Sequence, residues 1–191
     1  MNCEKQDACT SKELLHYTRW KLREEHIGRE FCTSWDISHY WKQKLRKAWA
    51  QDSLELPDIY IGKTSLTELL RHGKYAAELL KEFVFEEVRE NRFRDRPSRK
   101  RCLFAFPTEL DPRTYRSTIG FTNLDRTLIR IQPLDGARIH FGSMDLLDCN
   151  LSDYEELTHK AAEYWAGCEL ANPRAEALLE GRFRIMEIVH E

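Results

Sequence analysis

The order of strand-like and helix-like segments along the sequence predicts an α+β protein with a single domain, residues 1–191. Strand patterns and helix patterns come in separate runs, whereas an α/β protein alternates them. A chain of 191 residues with 41% hydrophobic residues can bury one proper core, and this composition rules out a disordered chain. Residues 1–12 are mostly polar, so we expect a flexible N-terminus there and no secretory signal.

The first half of the sequence predicts one strand and two helices. Leu14–Trp20 combines aromatic and β-branched residues, which is typical of a strand. Ser38–Ala50 and Leu66–Arg92 carry apolar side chains at three- and four-residue spacing, which predicts amphipathic helices. Gly73 is a candidate break within the second helix, and Pro97 stops it.

The second half predicts several strands around one further helix. This helix, Ser152–Trp165, begins with a capping box of Ser152 and Glu155 and ends at Gly167. Glu180-Gly181 predicts a hairpin turn between the last two strands. The predicted strands are Arg101–Phe106, Thr114–Phe121, Thr127–Gln132, Arg138–Phe141, Ala175–Leu179 and Phe183–Val189.

Several classes of site are excluded by motifs that the sequence lacks. The eight glycines are too widely spaced for a Rossmann or a P-loop phosphate site. Neither the His-Glu-x-x-His motif of zinc proteases nor the Gly-x-Ser-x-Gly motif of hydrolases occurs. The six cysteines form no Cys-x-x-Cys pair, so we expect no metal and reduced thiols in a cytoplasmic protein. Because no apolar run is long enough to cross a membrane, we expect no membrane partner.

Three polar residues stand out against their surroundings. His16 lies within the first predicted strand, and Arg99 lies just before the short strand that follows the long helix. Glu176 lies inside an apolar strand, where a charge is costly unless the strand borders solvent or a cleft. Taken singly, such residues are more often structural than functional, but their order along the chain makes them informative together.

These residues resemble the motifs of DarT-like and CmdT-like bacterial ADP-ribosyltransferase toxins. The likeness is carried by His16 in the first strand, Arg99 in Arg-x-x-x-Leu-Phe and Glu176 in Ala-Glu-x-Leu-Leu. It implies an ADP-ribosyltransferase-like fold, with a split mixed β-sheet core and flanking helices. It also implies an enzyme that uses NAD as co-substrate and acts as a toxin in antiphage defence. The arginine-specific branch carries Glu-x-Glu, and the absence of a second carboxylate after Glu176 disfavours protein arginine as acceptor.

The resemblance assigns the catalytic roles to Glu176, Arg99 and His16. Glu176 would stabilise the positive charge that develops on the ribose as nicotinamide leaves. Arg99 would bind the pyrophosphate through paired hydrogen bonds, and His16 would bind a ribose hydroxyl. The implied cofactor-binding residues are His16, Tyr17, Thr18, Ser98, Arg99 and Phe104. The aromatic ring that stacks on nicotinamide or on an acceptor base is Tyr17, Phe104 or Tyr164.

The segment Arg89–Arg101 predicts contact with a nucleic acid. It holds seven basic and two acidic residues, an excess of five positive charges in a chain of net charge −2. Together with the aromatic and basic residues of Trp35–Trp49, it is typical of a groove for single-stranded nucleic acid. The resemblance implies messenger RNA as the acceptor. An arginine cluster also suits an acidic protein partner such as an antitoxin. The predicted nucleic-acid-binding residues are Arg92, Arg94, Arg96 and Lys100.

Two other functions stay open at this point. One is a non-catalytic nucleic-acid-binding module that uses the same basic segment. The other is an ADP-ribosyltransferase that modifies a protein side chain. Consumption of NAD separates both enzymes from the binding module, and the identity of the labelled polymer separates the two enzymes.

Overall fold

The computed structural model describes residues 13–18, 22–33, 66–108, 126–148, 153–170 and 172–189 of the chain. These residues form seven strands and two α-helices, together with two short 3-10 turns. The strands are β1 Leu14–Thr18, β2 Glu30–Cys32, β3 Leu103–Pro107, β4 Thr127–Pro133, β5 Arg138–Ser143, β6 Ala175–Glu180 and β7 Arg182–Val189. The helices are α1 Leu66–Arg92 and α2 Tyr154–Ala166. The fold class is therefore α+β, as the sequence predicts.

The strands form one sheet in the order β2-β7-β4-β1-β3-β6-β5. β1 joins the β2-β7-β4 part of this sheet to the β3-β6-β5 part. It pairs with β4 along all five of its residues and with β3 at Leu14↔Pro107 and Leu15↔Phe106. All pairs between the described strands are antiparallel, so the predicted mixed sheet is wrong for this part of the chain. A parallel pair needs a crossover connection between neighbouring strands. Here α1 connects β2 and β3, which are not neighbours, and α2 connects β5 and β6, which are antiparallel neighbours.

Gly181 joins two strands that are consecutive in sequence but not adjacent in the sheet. β6 pairs with β3 on one side and β5 on the other, whereas β7 pairs with β4 and β2. Because both edges of β6 are occupied, the chain crosses at Gly181 into the other part of the sheet, and the predicted hairpin is wrong. Gly181 has a φ of +127°, and a Cβ atom there would lie 2.9 Å from the Cα atom of Ala137, so this crossing requires a glycine.

The two helices pack against each other and against β6. Phe85 and Val88 of α1, Tyr164 and Trp165 of α2 and Leu178 of β6 belong to one buried cluster. The indole N–H of Trp165 donates to the backbone carbonyl of Phe85 at 2.7 Å, which ties the two helices together. The opposite face of the sheet carries a second buried cluster, which includes Leu14, Ala105, Ala177 and Leu179.

Local sequence patterns set most of the observed element bounds. α1 has the predicted bounds and continues through Gly73. α2 begins after Asp153, whose carboxylate accepts the N–H groups of Glu155 and Glu156 at 2.9 and 3.0 Å. The N-cap is therefore Asp153, and the prediction of Ser152 is wrong by one residue. The short strand β2 has no counterpart in the prediction.

Some predicted elements lie outside the described residues. They are the helix Ser38–Ala50, with the aromatic residues around it, and the strand Thr114–Phe121. The first strand was predicted to reach Trp20, and the described strand ends at Thr18. None of the helices in the described part of the chain is long and apolar enough to cross a membrane.

Candidate functional site

Three buried carboxylates surround the buried Arg99 where α1, α2 and β6 pack together. Glu82 and Glu86 lie one turn apart on the inner face of α1, and Glu176 reaches the same place from β6. Arg99 follows α1 in the chain, and only 1% of the residue is exposed. Buried charges persist only when they are paired and hydrogen-bonded, so each member of this network depends on the others.

Two carboxylates bind the guanidinium group of Arg99. Its Nε and Nη2 atoms donate to the two oxygens of Glu82 at 2.9 and 3.3 Å. Its Nη1 atom donates to Oε1 of Glu176 at 2.5 Å and to the hydroxyl of Tyr164 at 2.7 Å. Burial alone would lower the pKa of Arg99, but Glu176 and Glu82 raise that pKa well above its ordinary value. The ring of Phe104 lies 5.1 Å from the guanidinium carbon and adds a cation–π contact.

Glu86 fixes the turn that carries Arg99. Its two oxygens accept the backbone N–H of Arg99 at 2.7 Å and the hydroxyl of Ser98 at 2.8 Å. Arg89 pairs with Glu86 at 3.2 Å from the next turn of α1. The backbone N–H of Ser98 also donates to the carboxylate of Glu180 in β6 at 2.8 Å. The turn is thus tied to both α1 and β6, which holds Arg99 in place.

Tyr164 completes the contact between Arg99 and Glu176. Its hydroxyl accepts from Arg99 and donates to Oε1 of Glu176 at 2.7 Å. Burial raises the pKa of Tyr164 well above its usual value, so the hydroxyl keeps the proton that it donates. The tyrosine ring covers Gly142 of β5, where a Cβ atom would lie 2.3 Å from the ring. Because Gly142 pairs with Glu176 in the sheet, this glycine makes room for Tyr164 beside the carboxylate.

The two oxygens of Glu176 have different surroundings. Oε1 accepts from both Arg99 and Tyr164. Among the described residues no group donates to Oε2, yet Oε2 does not belong to the buried polar atoms that lack a partner. The exposed 6% of the side chain therefore includes Oε2. The result is a carboxylate that is held by one oxygen, while the other keeps a small exposed area and no protein donor among the described residues.

His16 lies apart from this network. Its Nδ1 atom is 2.7 Å from the backbone carbonyl oxygen of Phe104, and burial lowers the pKa of the ring to about 4. The ring is therefore neutral at pH 7, and donation by Nδ1–H leaves Nε2 as an acceptor. Alternation along β1 places His16 on the same face as Leu14, whereas Glu176 faces the helices. The structure brings Arg99 and Glu176 together and leaves His16 on the other face of the sheet.

The other residues predicted to bind the cofactor contact protein groups. Tyr17 is buried and stacks on Phe106 with 5.8 Å between the ring centres, and Thr18 is buried in the same strand. Phe104 packs under the guanidinium of Arg99, and Ser98 is bound to α1 and β6. Their contact with NAD stays a prediction.

The predicted nucleic-acid-binding residues differ in their exposure. Arg92 and Arg94 are exposed at the end of α1, where the Nε atom of Arg94 donates to a carbonyl of the last helical turn at 2.6 Å. Arg96 and Lys100 are half-buried, and the ammonium of Lys100 lies 5.4 Å from the centre of the Phe83 ring. Two further basic residues of the segment, Arg89 and Arg99, are buried against glutamates. The surface of this segment is therefore less positive than its composition indicates.

Glu82 and Glu86 were not predicted from the sequence, and Tyr164 was predicted only as a ring that could stack on nicotinamide or on a base. Acidic residues on a long amphipathic helix normally face solvent, so residue type alone does not mark these two as buried. One signal was present. Glu82, Glu86 and Arg89 follow four- and three-residue spacing on the helix face that also holds Phe85, and this spacing marks them as inward-facing.

Possible metal ligands and thiols lie within the part of the chain that the structure describes. Within it, no group of three His, Cys, Asp or Glu side chains is arranged to hold a metal ion. Cys32, Cys102 and Cys168 are free thiols there. Burial raises the pKa of both Cys102 and Cys168, which keeps these thiols protonated at pH 7.

Residues 7–191 match a family model that is described as a protein of unknown function, DUF2441. The chain belongs to the DUF2441 family. No curated protein matches it. Because the description of the family carries no activity, a function has to be inferred from the geometry around Glu176.

Proposed function

We propose that this DUF2441 protein is an NAD-dependent ADP-ribosyltransferase that modifies a nucleic acid, with RNA as the favoured acceptor. The observation that carries the proposal is the carboxylate of Glu176, which Arg99 and Tyr164 hold by Oε1 while Oε2 stays open. A charged group in a buried strand is costly for the fold, so its presence points to a role beyond packing. The short pairing between β1 and β3 also suits the split core that the resemblance implies.

The proposed reaction exchanges one bond at the C1′ atom of the ribose. The bond to the nicotinamide nitrogen breaks and its electron pair leaves with nicotinamide, while positive charge develops on the ribose. A nucleophilic atom of the acceptor then forms the new bond to C1′ and loses a proton. Oε2 of Glu176 would stabilise the positive charge or accept that proton. Because Arg99 and Tyr164 already hold the carboxylate, substrate binding requires little reorganisation.

The contacts of Arg99 favour a role that differs from the one the resemblance implies. An arginine that binds pyrophosphate needs a free pair of N–H groups. Here Glu82 occupies the Nε and Nη2 edge, and Glu176 and Tyr164 share Nη1. Within this proposal Arg99 therefore holds Glu176, and the pyrophosphate contact has less support. His16 is likewise less well supported than Glu176, because it lies on the other face of the sheet.

The nucleic-acid acceptor is supported by the exposed arginines at the end of α1. Arg92 and Arg94 project from the helix end and are available to phosphates. Action as a cytoplasmic toxin, with an antitoxin as partner, is supported by the sequence resemblance alone.

Labelled NAD incubated with a cell lysate, followed by RNase, DNase or protease, tests the activity and its acceptor. We expect RNase-sensitive label, and Glu176→Gln should lower the rate by about 10²-fold or more because a charge-stabilising group is lost. Glu187→Gln is the matched control, since Glu187 is an exposed carboxylate on β7 that pairs with Arg130, and it should keep the rate. Protease-sensitive label would reassign the acceptor to protein, and an absence of NAD consumption would overturn the enzyme.

The salt dependence of RNA binding tests the surface. Changing Arg92, Arg94 and Arg96 together to Gln should weaken binding and flatten the dependence of affinity on salt by roughly one unit or less per lost contact. Glu176→Gln should leave this binding unchanged, because the binding depends on the exposed arginines at the end of α1 and not on the carboxylate. An unchanged affinity and salt slope in the triple variant would favour an acidic protein as the partner of this surface.

One observation favours the second candidate, a non-catalytic nucleic-acid-binding module. Arg99 is fully buried among protein groups, as expected for a polar group that stabilises the fold only. The two functions differ in a single readout. The module binds RNA without consuming NAD.

A further inference from the structure

We propose that Glu82 is a positioning residue that keeps one oxygen of Glu176 open by turning the Arg99 guanidinium away from it. This inference rests on the proposed function for its catalytic consequence. The geometry on which it depends can be tested without that function.

A guanidinium group offers two edges to a carboxylate. One edge consists of Nε and Nη2, the other of Nη1 and Nη2, and each can bind both oxygens of one carboxylate. In the structure Glu82 takes the first edge with both of its oxygens, at 2.9 and 3.3 Å. Glu176 is bound at the second edge through one oxygen only, from Nη1 to Oε1.

Glu82 is the group that sets this asymmetry. With Nε and Nη2 bound to the two oxygens of Glu82, the guanidinium plane is fixed, and Nη1 is the atom that donates to Glu176. Tyr164 reinforces the arrangement because its hydroxyl bridges Nη1 and the same oxygen, Oε1. Both partners thus engage Oε1, and Oε2 is left to reach solvent.

Without the charge on Glu82, Glu176 becomes the stronger partner of Arg99. A glutamine at this position presents one acceptor oxygen and one N–H₂ group, and the latter repels a guanidinium donor. The charged carboxylate of Glu176 would then attract both Nη atoms and bind them with both oxygens. Such a paired contact would cover Oε2, the atom that the proposed reaction needs.

The crystal structure of the Glu82→Gln variant tests the geometry directly. We expect Arg99 to bind both oxygens of Glu176 at hydrogen-bond distance. Glu78→Gln is the matched control, because Glu78 lies one turn earlier on α1 and its side chain is 38% exposed. Its carboxylate pairs with the ammonium group of Lys81 at 3.0 Å. An Arg99 that keeps its single contact with Oε1 in the Glu82→Gln crystal would overturn the proposal.

Kinetics test the consequence for turnover. Glu82→Gln should lower kcat by about tenfold or more with a nearly unchanged KM for NAD, since the bound carboxylate is blocked and the substrate contacts remain. Glu82→Asp keeps the charge and should recover part of kcat. A rise in KM with unchanged kcat would mean that Glu82 acts through substrate binding, which contradicts the proposal.

Two outcomes keep the test decisive. If Glu82→Gln does not fold, Glu82→Asp takes its place, because the shorter carboxylate keeps only part of the contact with Arg99, so a smaller rotation of the guanidinium and a smaller loss of kcat are expected. If wild-type protein consumes no NAD, the proposed function fails, and the crystal structures still decide whether Glu82 orients Arg99.

Discussion

Arg99 and Arg130 each lie between two glutamates, and the two sites differ mainly in burial. The side chain of Arg99 is 2% exposed, whereas that of Arg130 in β4 is 37% exposed. The hydrogen bonds from Arg99 to its glutamates are 2.5, 2.9 and 3.3 Å long, and those from Arg130 are 3.0 and 3.2 Å long. The partners are Glu82 and Glu176 for Arg99, and Glu13 and Glu187 for Arg130.

The difference in burial changes what such an arrangement does. Water and salt screen an exposed ion pair, which contributes about 0–1 kcal/mol to stability. A buried pair gains little over apolar packing, yet removing one partner costs about 3–5 kcal/mol because a charge is left alone. The surface site around Arg130 therefore tolerates change. The site around Arg99 is stable only while both of its glutamates are present. Its contribution is therefore to hold Glu176 in a fixed position.

The largest expected effect separates these two arginines. Arg99→Met should lower the free energy of unfolding by about 3 kcal/mol or more, because two buried carboxylates lose their cation. Arg130→Met, the matched variant, should lower it by about 1 kcal/mol or less, since water replaces the lost contact. Chemical denaturation of both variants measures the difference. Equal losses would show that burial does not distinguish the two sites.

A smaller effect is expected from disturbing the tyrosine that holds Glu176. Gly142→Ala places a methyl group 2.3 Å from the Tyr164 ring, which has to move, and should destabilise the fold by about 1–3 kcal/mol. Gly73→Ala is the matched control, because nothing lies within 4 Å of the added Cβ atom in α1. It should stabilise the protein by about 0.5–1 kcal/mol through helix propensity. Thermal unfolding of the two variants should therefore shift in opposite directions.

The smallest effect concerns the histidine beside Tyr164. The neutral ring of His140 bonds to the backbone carbonyl of Tyr164 at 2.9 Å, and burial lowers its pKa to about 4. The unfolded chain takes up a proton near pH 6.5 that the folded protein does not accept until about pH 4. Stability due to His140 is thus complete above pH 6.5 and is lost as the pH falls toward 4.

Denaturation between pH 6.5 and pH 5.5 measures this loss, which should be about 1 kcal/mol for His140. In the His140→Gln variant that part of the pH dependence should disappear, while His16, whose pKa burial also lowers to about 4, keeps its own share. An NMR titration of the His140 ring gives a second readout. A ring that titrates near pH 6.5 in the folded protein would contradict the assignment.

Local patterns in the sequence predicted the described elements well, because each pattern depends on neighbours within one element. The bounds of α1 match, and the strands that begin at Thr127, Arg138 and Ala175 are displaced by no more than two residues at their ends. Strand pairing was less predictable. Glu180-Gly181 has the composition of a hairpin, and only the occupation of both edges of β6 shows that it is a crossing.

The candidate site was predictable in part for the same reason. Glu176 was visible because a carboxylate in an apolar strand is unusual, and Arg99 because it precedes one. The grouping of His16 with them could not be judged from the sequence. The phase of alternation in β1 relative to β6 depends on the register of both strands with β3, which no local pattern contains.

The crossing at Gly181 has a consequence for how the protein is made. β6 and β7 come last among the seven strands in chain order, yet both lie inside the sheet, β6 between β3 and β5 and β7 between β4 and β2. A nascent chain emerging from the ribosome can therefore complete neither end of the sheet until β6 and β7 are available. Most pairings also join residues far apart in sequence, which slows folding. Glu176 arrives with the strand that completes the sheet, so Arg99 has no second carboxylate to bind until synthesis of β6 is finished.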